Sequence, residues 1–191
     1  MLNPTQQNEL LKLARESIKQ HLAEQDLPPH LQADQALQAL AGAFVSLHQD
    51  GELRGCIGTF NAERPLAEVV QEMALAAATG DPRFPSMEAE SLDAVDIEIS
   101  VLSPRRLIED PKQVEVGTHG IFITRDFYSG VLLPQVATEY GWNREEFLAQ
   151  TCLKAGLPPE AWKDPKTSIE VFSAQVFGEK ETPDAGNPGT R

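Results

Sequence analysis

Asp50-Gly51 stands between two runs of mixed alternation, Ala43 to His48 and Leu53 to Thr59, and constrains the fold more than any other feature of the chain. An Asp-Gly pair accepts the positive φ angles of a tight turn, so the two runs are expected to pair as an antiparallel hairpin. Further on, Ile97, Ile99 and Val101 alternate with Asp96, Glu98 and Ser100, the pattern of a half-buried strand, which Pro104 ends. Gly120 to Arg125 and Val131 to Leu133, separated by the turn-rich segment 126–130, read as a second hairpin, and Ser168 to Phe177 as one last strand.

The rest of the punctuation is helical. Asn3 with Pro4 and Gln6 is a helix start, and Leu10, Ala14, Ile18 and Leu22 follow at helical spacing until the chain meets Asp26-Leu27-Pro28-Pro29. Pro65 opens a second helix that buries Leu66, Val69, Val70, Met73, Ala74 and Ala77 and stops at Gly80. Asn143, with Glu146 three residues later, caps a third that Gly156 ends. The segment Asp81-Pro82-Arg83-Phe84-Pro85 is expected to be a stiff, extended loop, because two prolines remove donors and restrict their predecessors. The fold class is therefore α+β, an antiparallel sheet flanked by helices.

A chain of 191 residues can bury a sizeable core without a disulfide or metal, and a single domain over 1–180 is expected, with 181–191, rich in Pro, Gly and charge, a disordered tail. No apolar run is long enough to span a membrane and no export signal opens the chain, so a cytoplasmic protein with Cys56 and Cys152 as free thiols is expected. The net charge of -13 disfavours nucleic acid, whose binding needs several cationic contacts. Metal-ligand spacings such as Cys-x-x-Cys or His-Glu-x-x-His are absent, Gly55 to Thr59 lacks the lysine of a phosphate-binding loop, and Ala62 occupies the position a Cys-x5-Arg phosphatase needs for arginine. No metal and no cofactor are expected.

Chemistry concentrates in Leu53-Arg54-Gly55-Cys56-Ile57-Gly58-Thr59. On a strand, Arg54, Cys56 and Gly58 project one way and Leu53, Gly55, Ile57 and Thr59 the other. Leu53 and Ile57 then seal the core, with Gly55 admitting another backbone or a helix, while Gly58 leaves a notch beside the sulfur. An arginine on the face of the thiol favours thiolate, and two interior glycines predict a bulge or bend. The plain alternative is a cysteine that only packs. Cys152, mid-helix beside Leu148 and Leu153, is read as a packing residue. His119, between Gly117 and Gly120, is the candidate base among the four histidines, against a role confined to its own loop. Glu98 or Asp96 can neutralise Arg54 or handle a proton, Arg83 is either an anion clamp or a solvated cation, and Trp142 lines a pocket or packs.

Leu53 to Phe60 resembles the hallmark motif of the AMMECR family, also called AmmeMemoRadiSam system protein A. The resemblance continues through Asp81 to Phe84, Ile97 to Pro104, Gly117 to Gly120, Gly130 to Ala137, Trp142 and Lys154 to Leu157. It implies two unequal lobes with the cysteine motif near a cleft between them. It also implies association with a Memo-like protein and a radical S-adenosylmethionine protein, but no defined reaction. Two readings follow: an accessory or catalytic component of that modification system, holding a small molecule or peptide beside Cys56, or a non-catalytic adaptor that docks partners through the same motif. The candidate catalytic set is Cys56, Arg54 and His119; the candidate binding set is Gly55, Gly58, Thr59, Arg83, Glu98, Gln135 and Trp142.

Overall fold

The computed structural model describes residues 1–29 and 34–180; His30 and the expected tail over 181–191 lie outside the described residues. Helix α1 (Pro4–Leu22) opens on a reciprocal cap, in which Gln6 N–H donates to the Asn3 side chain and Asn3 N–H to that of Gln6. Two orphan donors are satisfied by four consecutive residues, which is why this start was legible. Strands β1 (Ala43–Gln49) and β2 (Glu52–Thr59) follow, joined by Asp50 at φ 54° and Gly51 at φ 84°. Helix α2 (Leu66–Thr79) buries Leu66, Val69, Val70, Met73, Ala74 and Ala77, as its spacing predicts. It packs on α1, β1 and β2.

Strand β3 (Val95–Leu102) and the short β4 (Arg106–Ile108) precede a second hairpin of β5 (Gly120–Arg125) and β6 (Tyr128–Leu132). Helices α3 (Pro134–Glu139) and α4 (Arg144–Lys154) and strands β7 (Ser168–Phe172) and β8 (Ala174–Gly178) complete the order. The class is α+β, with two four-stranded sheets ordered β2-β1-β3-β8 and β4-β7-β5-β6. The last strand therefore differs from expectation: Ser168 to Phe177 is two strands that break at Ser173 and enter different sheets. The second hairpin also closes earlier than expected, on Asp126-Phe127, so that Tyr128, Ser129 and Gly130 are strand rather than turn.

Two units result. The first comprises Met1–Val101 and the segment beginning at Gln175; Leu10, Ile18, Val45, Leu47, Ile97 and Ile99 are buried in its core. The second, Leu102–Ala174, has a core around Ile121, Ile123, Phe147, Leu148 and Val171, with Cys152 fully enclosed. Cys152 thus packs, and burial pushes its thiol upward. Among the described residues no helix is long and apolar enough to cross a membrane.

In the second unit Asn143 accepts from the amides of Glu145 and Glu146, and its own N–H donates to Glu146. Asn143→Ala is expected to cost about 1 kcal/mol, the usual value of a helix cap. A fall in urea midpoint at constant m-value checks this; an unchanged midpoint would show that the cap adds nothing to α4.

Candidate functional site

The site begins with a register shift. Gln49 pairs with Glu52 and His48 with Leu53, but Leu47 then pairs with Gly55, leaving Arg54 as the extra residue of a bulge. An unbroken hairpin would set Ser46 opposite Gly55; the bulge sets it opposite Cys56 instead. Ser46 is also paired with Glu98 on β3, so Cys56, Ser46 and Glu98 form one row across three strands. The Ser46 hydroxyl lies 3.2 Å from the half-buried Cys56 sulfur.

That closeness follows from where the backbone of Cys56 points. Strand β2 is an edge strand, and both main-chain polar groups of Cys56 turn away from β1. Its N–H donates to Asp81 Oδ2 at 2.9 Å, and its carbonyl accepts from Arg83 Nη2 at 3.1 Å. Ser46 and Cys56 are therefore a non-hydrogen-bonded pair, the kind whose side chains approach most closely. An edge that would otherwise invite pairing with another strand is closed by two side chains of one loop.

Asp81 organises that loop. Its side chain is only 2% exposed, and it accepts from the Arg83 amide at 3.1 Å, from Arg83 Nε at 3.0 Å and from Arg83 Nη2 at 2.7 Å, besides Cys56 N–H. Arg83's donors above all, helped by the two amides, hold the Asp81 carboxyl well below the usual carboxylate range although burial opposes them. The segment expected to be extended is accordingly a turn, with Phe84 N–H donating to the Asp81 carbonyl at 3.1 Å. The aspartate side chain captures the amide two residues on and overrides the extended bias of Pro82.

The guanidinium acting on Cys56 is that of Arg83, not of Arg54. Arg83 is raised above its ordinary value first by its hydrogen bonds to Asp81, against its partial burial, and further by the Cys56 thiol. Arg54 instead donates from Nη2 to the Pro85 carbonyl at 2.7 Å. Neither carboxylate neutralises it: Asp96 is paired with Lys180, and Glu98, half-buried, has no partner among the described residues. The notch expected at Gly58 is filled, since a Cβ there would lie 2.2 Å from the ring of Phe44, which meets Phe60 edge-on. Gly55 does admit a helix, with the Ala77 carbonyl of α2 at 2.2 Å from the place of its absent Cβ. Thr59 accepts from Asn61 N–H at 3.0 Å and ends the strand.

The remaining candidates belong to the second unit. His119 Nδ1 accepts from Glu115 N–H at 3.1 Å while its own amide donates to the Glu115 carbonyl, so the imidazole closes its own loop. The Gln135 carbonyl accepts from the Thr138 hydroxyl at 2.7 Å in α3. Trp142 stacks on Tyr140 with centroids 4.8 Å apart and packs on the core. Grooves of ≈590 Å³, bordered by Lys112, Arg144 and Trp162, and of ≈730 Å³, bordered by Ile108, Pro165 and Trp162, also lie in this unit.

Asp81 and Ser46 are the site residues that sequence reasoning missed. Asp81-Pro82-Arg83 carries an aspartate-turn signal that could have been read. Ser46 carries none, because its place opposite the sulfur depends on the bulge.

The fold and the motif define a family. The AMMECR1 family model matches residues 11–177, and the chain belongs to that family. It is 45% identical over 179 residues to a protein of Methanothermobacter thermautotrophicus, covering 89% of this chain and 92% of the relative. It is 46% identical over 185 residues to a protein of Methanopyrus kandleri, covering 90% and 87%. The crystal structure of the uncharacterized protein PH0010 from Pyrococcus horikoshii is similar, with a TM-score of 0.82, 40% identity and 91% of each chain covered.

Proposed function

We propose that the chain is the AMMECR-type component of a Memo-like and radical S-adenosylmethionine modification system, and that it presents Cys56 as a thiol to a small molecule or peptide. The observation that carries this reading is the fixed environment of the sulfur: a hydroxyl at 3.2 Å, and a guanidinium held by a buried carboxylate. The half-buried sulfur has polar neighbours on two sides, and a thiol that only packs needs neither. The choice of partners is what the resemblance of Leu53 to Phe60 to the AMMECR motif implies. In this reading Cys56 is the reacting group, the Ser46 hydroxyl lies against its sulfur, Arg83 holds its carbonyl, and Asp81 positions both Arg83 and the Cys56 backbone.

With iodoacetamide at neutral pH, Cys56 is expected to react at least about ten-fold faster than the enclosed Cys152, and Ser46→Ala and Arg83→Gln are each expected to slow it. Quantitative mass spectrometry of the two labelled peptides reads the rates. Equal, slow labelling of both cysteines would leave Cys56 a packing residue. The adaptor reading draws on a different observation: Phe44 and Phe60 give the strand an aromatic surface where a hollow was expected. Cys56→Ser separates the two, since an adaptor keeps the output of the reconstituted system and a chemical component loses it.

A further inference from the structure

Strand β1 turns Ala43, Val45 and Leu47, all fully enclosed, toward the core of the first unit, and so turns Phe44, Ser46 and His48 the other way. Of those three only Phe44 is apolar. The bulge that sets Ser46 opposite Cys56 also sets Phe44 opposite Gly58. There the ring crosses onto β2 and takes the place of the side chain that Gly58 lacks: a Cβ on Gly58 would stand 2.2 Å from Phe44 Cγ and 2.3 Å from Cδ1. An interior glycine weakens a strand and marks a close approach, and what approaches here is an aromatic ring. Cys56 and Gly58 share a face of β2, so the ring lies two residues, or about 7 Å, along the strand from the thiol. Phe60 meets it edge-on, with centroids 5.0 Å apart and planes at 66°. Phe44 and Phe60 are both half-buried, and neither belongs to the core beneath the sheet.

We infer that the substrate offered to Cys56 carries an aromatic ring about 7 Å from the atom the sulfur attacks, and that Phe44 receives this ring. The inference rests on the thiol reading above and adds the chemical class of the substrate. The sulfur has the Ser46 hydroxyl at 3.2 Å across the strands and the Phe44 ring further along them. Sites for small molecules have this composition, apolar and aromatic walls with a few placed polar groups. A ring laid against Phe44 gains more than its buried area, because offset and edge-on aromatic pairs attract through their quadrupoles, as Phe60 already does. Phe44 then selects the substrate and takes no part in the chemistry at sulfur.

N-benzyliodoacetamide and iodoacetamide test this. Both are neutral, and in both the sulfur attacks the same methylene carbon: the carbon–sulfur bond forms as the carbon–iodine bond breaks, iodide leaves, and the thiol proton passes to buffer. Extended, the benzyl reagent sets its ring about 6–7 Å from the attacked carbon. The ratio of the benzyl rate to the iodoacetamide rate at Cys56 is expected to exceed that at N-acetylcysteinamide by about five-fold or more. Because both rates are read on one sulfur, its intrinsic reactivity cancels from the ratio. Phe44→Leu, which keeps apolar bulk but removes the π-face, is expected to bring the ratio to within about two-fold of the free thiol's. N-(cyclohexylmethyl)iodoacetamide, of similar reach and without a π-face, is expected to gain no more than about two-fold in wild type. A wild-type benzyl ratio no higher than that of the free thiol overturns the inference without recourse to a variant. A ratio unchanged by Phe44→Leu, or a cyclohexylmethyl gain equal to the benzyl one, overturns it as well, and each of these results leaves the thiol reading intact. Failure of every reagent to label Cys56 removes the thiol reading and the inference together.

Discussion

Asp81→Ala is expected to lower stability by about 2–4 kcal/mol, because a buried charge-assisted acceptor disappears from beneath Cys56 N–H and the Arg83 fork at once. The loss is smaller than for a fully enclosed ion pair, since the Arg83 side chain is 56% exposed and water takes it up. A pH signature distinguishes the charge from the packing. The folded Asp81 carboxyl lies well below its unfolded value, so its contribution is whole above the unfolded value near pH 4 and is lost as pH falls toward the folded one. The urea midpoint difference between wild type and Asp81→Asn should therefore be larger at pH 7 than at pH 3, by about 1 kcal/mol once multiplied by the m-value. A difference that is the same at both pH values would mean that the carboxylate's charge contributes nothing.

How legible such features are depends on how far apart in the chain their partners lie. The caps at Asn3 and Asn143 and the turn at Asp50-Gly51 are made within four residues, and each stands where the sequence indicates. The bond from Cys56 N–H to Asp81 joins residues 25 apart, and no pattern around Cys56 announces it. The same holds for Phe44, which fills the space at Gly58 only because the bulge sets their register. A one-residue shift re-faces a whole strand, so a bulge that composition suggests but does not locate leaves the row opposite the sulfur undetermined. The strands β7 and β8 read as one in the sequence because no turn residue stands at Ser173, and a strand that changes sheet needs none. Helix α3 and strand β4, of six and three residues, are too short for any period to register. His119 is a further case: a histidine between glycines reads equally as an accessible base or as a residue confined to its own loop, and only the amide four residues earlier, which donates to its imidazole, favours the second.

Gly55→Ala is expected to be the most damaging single-methyl addition near the site, costing about 3 kcal/mol or more. The new Cβ would sit 2.2 Å from the Ala77 carbonyl oxygen and 3.1 Å from its carbon, both backbone atoms of α2, and a helix backbone cannot rotate aside as a side chain does. Either α2 lifts from β2, opening the core at Val70 and Ala74, or β2 moves outward and takes Cys56 from Ser46 and Asp81. Gly51→Ala is the proper control. No atom lies within 4 Å of its added Cβ, and only the backbone at φ 84° resists, a penalty of about 1 kcal/mol. The two variants should therefore differ by about 2 kcal/mol in urea unfolding, and only Gly55→Ala should change the iodoacetamide rate at Cys56. Equal stabilities would mean that α2 yields freely at Ala77, and the close helix contact would then not be what holds the cysteine strand in place.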